Sequence, residues 1–347
     1  MKRYIILPLL LLLLPVQIQG PRTVAYLSSA VNTTPSEHVS LNALSEYKET
    51  LETRGQNLND QGIVIETLDG KRSLGEHNAD ITFNPASVMK LATSLVALSK
   101  FAPDHRYRTD FLAGGAMDAA ARKLEGDLVV RGGADPMFSS TDAEEVARNL
   151  SKVGIARVTG NLRVAGPFYY YARGYTSNLS RETSAAKLRG ILEKSGIKID
   201  GQTVLAEAPE QGEEPGQNLV THYSDRLDKI LLYQNAYSSN AVAEVVGESV
   251  GGPQAVQEFL VENLDLRDSE VYVGRTSGLD FNRITPRASI KVLRALLVVL
   301  EEYSLKPEDI MPVAGIDSGT LRARLSSDQF RGSVIAKTGT LVSLEKG

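Results

Sequence analysis

The sequence contains no cysteine and no tryptophan among its 347 residues. The first absence removes thiol nucleophiles, disulfides and cysteine-ligated metals together. An exported form would then be held by its core alone, which a chain of this length can supply. Aromatic residues make up only 6% of the chain, which with the missing tryptophan counts against a carbohydrate-stacking lectin. Charge of one sign is also not in excess. The net charge is −4 with both signs interspersed, so no basic surface for nucleic acid is implied. The histidines (His38, His77, His105 and His222) are scattered and show no H-E-x-x-H or comparable spacing. Gly132-Gly133 lacks the Gly-x-x-x-x-Gly-Lys pattern of a phosphate loop. No metal and no cofactor are therefore expected. Hydrophobic residues at 42% and charged residues at 23% mark an ordinary globular protein, not a disordered one.

One long apolar run is present, at the N-terminus. Lys2-Arg3 is followed by the apolar stretch Tyr4 to Val16, which includes Leu9 to Leu14. That stretch is shorter than the roughly 20 residues a membrane span needs and fits the hydrophobic region of an export signal. Residues 1–30 are read as that signal, cleaved after Ser28-Ser29-Ala30. Gly20 is disfavoured by the following Pro21. The competing reading is an uncleaved anchor with loose membrane association. Without a cysteine after the run, lipoprotein anchoring is excluded. The chain is expected to be exported, to the periplasm or outside the cell.

Beyond a polar stretch at 31–42, apolar spacing predicts a helix over Leu41–Leu51. Gly62–Leu68 reads as a strand, Asp69-Gly70 as a hairpin turn, and Arg72–Leu74 as part of the returning strand. Asn84-Pro85-Ala86 opens a helix over Ser87–Leu98. From about 106 to 215 the texture changes. Short β-like runs (Asp127–Val130, Leu162–Val164) alternate with helical stretches near 141–152 and 183–195, and an acidic Pro/Gly loop occupies 206–217. Helical patterns follow over Leu227–Val246, Pro253–Asn263 and Ala288–Tyr303, then a strand over Gly332–Leu341. The organisation expected is an α/β domain in two parts, 31–105 and 216–347, split by an inserted α/β subdomain at 106–215.

Three short motifs carry chemistry. Ser-x-x-Lys occurs five times, at Ser45/Lys48, Ser87/Lys90, Ser184/Lys187, Ser195/Lys198 and Ser343/Lys346, and is weak alone. Ser-x-Asn occurs at Ser238-Ser239-Asn240 and also at Ser40-Leu41-Asn42. Lys337-Thr338-Gly339 occurs once, behind the apolar Val334-Ile335-Ala336. At Ser87 and Lys90 the i,i+3 spacing puts both side chains on one helical face, about 5–6 Å apart at Cβ. A buried lysine with a second cation nearby, such as Lys337, favours the neutral amine and can take the serine proton during attack on a carbonyl. The helix N-terminus offers a backbone N–H where an oxyanion would form. Ser238 and Asn240 can face one cleft from a tight turn, for proton relay and for holding a substrate carbonyl. Lys337 can bind a carboxylate, Gly339 permits close approach, and the Thr340 N–H is a second candidate oxyanion donor. Each motif alone has an ordinary reading: a helix cap with a solvated lysine, a polar turn, and an edge strand. A Ser-His-Asp arrangement has no support in the sequence.

Taken in order, the motifs resemble those of the serine, penicillin-recognising D-alanyl-D-alanine peptidases, specifically the class C low-molecular-mass penicillin-binding proteins. The resemblance spans most of the chain beyond the leader. It includes Phe83–Leu91, Gly126–Pro136, Gly154–Gly160, Thr276–Pro286 and Pro312–Leu321. It implies a β-lactamase/transpeptidase-like fold: an antiparallel sheet flanked by helices, a helical subdomain beside it, and an insertion between the first two motifs. It implies Ser87 as acylated nucleophile, Lys90 as its base and Ser238 as proton shuttle. Asn240 would position the substrate, and Lys337, Thr338, Gly339 and Thr340 would bind the terminal D-Ala or a β-lactam carboxylate. Peptidoglycan stem peptides and covalently bound β-lactams are the partners implied, without metal or nucleic acid.

Two departures from the resemblance are visible. Ser238 follows Ser87 by 151 residues, which implies that one of two inserted subdomains is missing. The family pattern also places two strands and a helix after Lys-Thr-Gly, where Leu341–Gly347 alone remain, so those pieces are expected to be absent and the chain truncated. Three functions remain open at this point. One is a D-Ala-D-Ala carboxypeptidase, also acting as endopeptidase. The others are an inactive penicillin- or wall-binding remnant, and a β-lactamase, for which no segment supplies a water-activating group.

Overall fold

A computed structural model describes residues 6–7, 11–12, 37–174, 178–206 and 216–341. The chain forms two compact units, one of Met1–Pro103 with Leu231–Gly347, the other of Asp104–Ile230. Most of the export-signal reading, the tip of the acidic loop and residues 342–347 lie outside the described residues. Near the N-terminus, β1 (Ile6–Leu7) and β2 (Leu11–Leu12) pair antiparallel. No helix of the described residues is long and apolar enough to cross a membrane.

The first unit begins with α1 (Glu37–Thr53). A hairpin follows, of β3 (Ile63–Glu66) and β4 (Ser73–His77), paired antiparallel around the Asp69-Gly70 turn. Thr67 Oγ1 donates to Asp69 Oδ1 at 2.6 Å and Gly70 takes φ +68°, the left-handed conformation a glycine adopts without strain. The next helix starts as a tight 3-10 turn over Ala86–Met89 and continues as α2 (Lys90–Lys100). Residues Lys90–Leu98 of α2 are buried on every side, including Thr93 and Ser94. An apolar surface all round demands partners all round.

The second unit is built on a mixed sheet. β5 (Arg108–Asp118) and β6 (Lys123–Arg131) pair antiparallel as its longest hairpin. α3 (Ser140–Lys152) follows, its first turn closed by Asp142, which accepts from the Ser139 N–H at 2.8 Å. β7 (Arg157–Val158) and β8 (Leu162–Ala165) pair parallel to β6. α4 (Arg181–Lys194) leads to β9 (Lys198–Ile199), β10 (Thr203–Ala206) and β11 (Gln217–Tyr223). The strand order is β10-β8-β6-β5-β11, with β7 joining β6 to β9. Phe111, Leu128, Val130 and Val164 of the strands form one core with Val146 and Leu150 of α3 and Leu188 and Leu192 of α4. The unit extends past residue 215 because β11 pairs with β5.

α5 (Leu227–Tyr237) carries the chain back into the first unit. α6 (Asn240–Ser249), α7 (Gly252–Leu264), β12 (Val271–Tyr272), β13 (Arg283–Ile284) and α8 (Pro286–Glu302) complete it. The single helical region expected over Leu227–Val246 is two helices. Ser238 takes φ +54°, which no helix continues through, and Ser239 caps α6 by accepting from the Val242 N–H at 3.4 Å. α2 packs against α6, α7 and α8, which accounts for its buried circumference.

The strand expected over Gly332–Leu341 is not a ladder among the described residues. It is reduced to one antiparallel bridge between Ile335 and Val313. Val334, Ile335, Ala336 and Lys337 are all buried, so the period-two alternation of a half-exposed strand is missing.

Candidate active site

Ser87 sits in the 3-10 turn that opens α2, and Lys90 is the first residue of the α-helix proper. The turn is strained, since Ala86 holds φ +49°, a region that costs a residue with a Cβ about 1–2 kcal/mol. Asn84 braces it, Oδ1 accepting from the Ala86 N–H at 3.0 Å. Below it, the buried amides of Gln234 and Asn235 on α5 both donate to Ser94 Oγ at 3.2 Å. Asn235 also donates to the Ile310 carbonyl at 2.9 Å.

Lys90 Nζ lies 3.0 Å from Ser87 Oγ, 2.7 Å from Asn240 Oδ1 and 2.6 Å from the Ser277 carbonyl oxygen. The last two partners can only accept. A neutral amine has two hydrogens and one lone pair. With both hydrogens given to Asn240 and Ser277, the lone pair is left for the Ser87 hydroxyl proton. Lys90 is fully buried, and burial, with the cation of Lys337 second, lowers its pKa to about 7, against an opposing pull from Glu244. The neutral form is thus populated at ordinary pH.

The other motif residues gather beside this pair. Lys337 is 1% exposed, and burial lowers its pKa to about 7. Its Nζ donates to Ser238 Oγ at 2.9 Å and to the Thr338 carbonyl at 2.7 Å. Gly339 lies against the turn that carries Ser87, where a Cβ would stand 2.7 Å from the Pro85 carbonyl oxygen. Thr338 is half-buried and Thr340 exposed at the rim. Ser87, Lys90 and Asn240 therefore form one hydrogen-bonded cluster, and Ser238, Lys337 and Thr338 a second. Gly339 brings the segment carrying the second against the turn of the first. A cavity of about 310 Å³ is lined by Ile63, Val64, Phe83 and Val88 among others, and of the motif residues Lys337 and Gly339 line it.

Of the remaining Ser-x-x-Lys matches, Ser195 and Lys198 are both exposed. Ser184 Oγ accepts from the Tyr170 N–H at 3.2 Å, Ser45 is exposed, and Ser343 is outside the described residues. Among the described residues no group of three or more His, Asp or Glu could hold a metal ion. Two contributors to the site carried no motif signal: the Ser277 carbonyl and the carboxylate of Glu244. A backbone acceptor has no residue signature. Ser277 is detectable from sequence only as part of the Thr276–Pro286 stretch.

The D-Ala-D-Ala carboxypeptidase 3 (S13) family model matches residues 48–170 and 173–345, which contain all three motifs. The chain belongs to that family. Among its relatives, the D-alanyl-D-alanine carboxypeptidase DacB of Haemophilus influenzae is 29% identical over 165 residues, 43% of this chain. That alignment spans 33% of the curated relative's length. The crystal structure of penicillin-binding protein 4 from the same organism aligns with a TM-score of 0.66 at 20% identity, covering 79% of this chain and 83% of that one. A penicillin G-acylated predatory endopeptidase from Bdellovibrio bacteriovorus aligns with a TM-score of 0.60 at 21% identity, covering 78% and 76%. The chain therefore shares the mixed α/β fold of these two solved structures.

Proposed function

We propose that this chain is a serine D-Ala-D-Ala carboxypeptidase, also acting as an endopeptidase, on peptidoglycan stem peptides through an acyl-enzyme on Ser87. The observation that carries the reading is the Lys90 amine, its hydrogens committed to Asn240 and Ser277 and its lone pair left to Ser87. In the acylation step Ser87 Oγ attacks the carbonyl carbon of the scissile D-Ala-D-Ala bond and Lys90 Nζ takes the hydroxyl proton. The C–N bond breaks, and the departing D-Ala amine receives a proton by way of Ser238. Water then releases the acyl group from Ser87. Lys337, with Thr338, holds the terminal carboxylate by charge-assisted hydrogen bonds. The backbone N–H groups of Ser87 and Thr340 serve as donors to the oxyanion. Asn240 holds both Lys90 and the substrate carbonyl side of the cleft.

The same steps applied to a β-lactam leave a stable acyl-Ser87, and a protein of the same fold is acylated by penicillin G. Export to the periplasm or cell wall, by way of Lys2-Arg3 and the apolar run after it, brings the site to its substrate. The test is release of D-Ala from a pentapeptide ending in D-Ala-D-Ala. Release by the parent and its loss in Ser87→Ala are expected. Equal release by both, or none from a parent that hydrolyses another ester or amide at Ser87, contradicts the reading.

A further inference from the structure

Residues Arg275–Asp280 cross the nucleophile turn as a strap. The Thr276 carbonyl accepts from Thr93 Oγ1 at 2.7 Å, and the Asp280 carbonyl accepts from Asn84 Nδ2 at 3.0 Å. Between them Gly278, at φ +83°, runs so close that a Cβ would stand 1.9 Å from the Ala86 carbonyl oxygen. The strap thereby brings the Ser277 carbonyl to 2.6 Å from Lys90 Nζ.

The strap is held from α6 by the Ala243 carbonyl and by one side chain, that of Glu244. Glu244 stands one turn beyond Asn240, on the same helical face. Its Oε1 accepts from the Ser277 N–H at 3.2 Å, and its Oε2 lies 3.2 Å from the Thr276 hydroxyl, which also has the Ala243 carbonyl as acceptor at 3.0 Å. Arg275 Nε is 3.4 Å from the same carboxylate and 3.8 Å from Asp280. Glu244 is only 13% exposed, so its charge is weakly screened. One helix thus supplies both restraints on the lysine: Asn240 directly, and Glu244 through the strap.

We propose that Glu244 is a positioning residue for the base: it fixes the Ser277 carbonyl that, with Asn240, takes both hydrogens of the Lys90 amine and directs its lone pair at Ser87. The inference rests on the reading of Lys90 as the base. Glu244 has a second effect on the same group. Its carboxylate favours protonated Lys90, opposing burial and the Lys337 cation. Arg275, paired with Glu244 on the strap, tempers that pull. Glu244 therefore sets where the lone pair points and the pH at which it becomes available.

Three variants and two readouts separate these effects. The titration of Lys90 is followed by NMR of 13C-labelled lysine, its Cε signal assigned by loss in Lys90→Met. Acylation of Ser87 by labelled penicillin is timed across the same pH range. Glu244→Gln keeps an acceptor for the Ser277 N–H and removes the charge. Its Lys90 midpoint is expected to fall by about half a unit or more, and the acid limb of acylation to move down with it. Glu244→Ala removes the acceptor too, and its acylation rate is expected to fall about tenfold or more at every pH, with most of that loss recovered in Glu244→Gln. Arg275→Met, at a side chain 45% exposed, leaves the carboxylate unneutralised and moves the Lys90 midpoint upward. A midpoint unchanged in both Glu244→Gln and Arg275→Met, or a Glu244→Ala rate equal to the parent's, overturns the proposal. If Lys90 titrates as expected in all variants but penicillin never acylates Ser87, the functional reading fails and the role of Glu244 in holding Lys90 stands.

Discussion

The two buried lysines predict an unusual dependence of acylation on pH. Lys90 must be neutral to accept the Ser87 proton, and its midpoint is about 7. About one-tenth of it is then neutral at pH 6 and about nine-tenths at pH 8. An acylating reagent without a carboxylate, such as a neutral active ester, should therefore react roughly tenfold faster at pH 8 than at pH 6 and level off above. Lys337 must be charged to hold a carboxylate, and its midpoint is also about 7. A carboxylate-bearing penicillin therefore needs one lysine neutral and the other charged. Its second-order rate should form a narrow bell centred near pH 7, falling on the alkaline side where the neutral ester does not. Lys337→Met removes the cation that depresses Lys90, so the ester profile moves to higher pH. The same change weakens penicillin by about 10- to 100-fold through loss of a charge-assisted bond of about 1.5–3 kcal/mol. Rapid-quench labelling from pH 5 to 9 with both reagents measures all of this. A lysine at its ordinary pKa of about 10.4 would instead give a rate still climbing tenfold per unit at pH 9. That climb, or identical profiles for the two reagents, would refute the reasoning.

Stability should follow the same groups. Both lysines titrate near 7 when folded and near 10.4 when unfolded, so between those values the unfolded chain binds more protons and stability rises with pH. Each lysine contributes about 1 kcal/mol per pH unit in that window. Denaturant melts at pH 7 and 9 should show the rise, halved in Lys90→Met, and parallel curves for the two proteins would count against it. Gly278→Ala forces a Cβ into the Ala86 carbonyl and a left-handed φ onto alanine, at a cost of about 1–2 kcal/mol or more. A lowered midpoint with slowed acylation is expected, and an unchanged acylation rate would mean that the strap does not bear on the nucleophile turn. Asn240→Ala frees one Lys90 hydrogen and should slow acylation about 100-fold. A penicillin-labelling rate within a factor of two or three of the parent's would remove Asn240 from the base's support.

Much of this was legible in the residues. The helix after Pro85, the hairpin at Asp69-Gly70 and the helices over 253–263 and 288–303 follow from periodicity, caps and turn chemistry. Lys-Thr-Gly, occurring once, selects Ser87/Lys90 from five matches in the sequence. In the structure the hydroxyl and amine of that match stand 3.0 Å apart. Local pattern does not reveal conformations imposed by tertiary contact. An alanine at φ +49° before the nucleophile and a serine at φ +54° ahead of α6 carry no composition signal, yet they shape the turns that bear Ser87 and Ser238. The run Val334–Ala336 has strand composition, but whether it forms a ladder depends on neighbours, and among the described residues Val313 alone bridges it at Ile335. The Ser277 carbonyl and Glu244 were hidden for the same reason, since their role depends on a strap that lies more than 180 residues from Lys90 in sequence.

The central claim is that Ser87 is the nucleophile and Lys90 its base. Mass spectrometry of the penicillin-treated protein at pH 7 tests it most directly. One covalent adduct is expected, on the peptide containing Ser87, absent in Ser87→Ala and formed at least about 100-fold more slowly in Lys90→Met. An adduct on any other residue, or labelling of Ser87→Ala at the parent's rate, would contradict it.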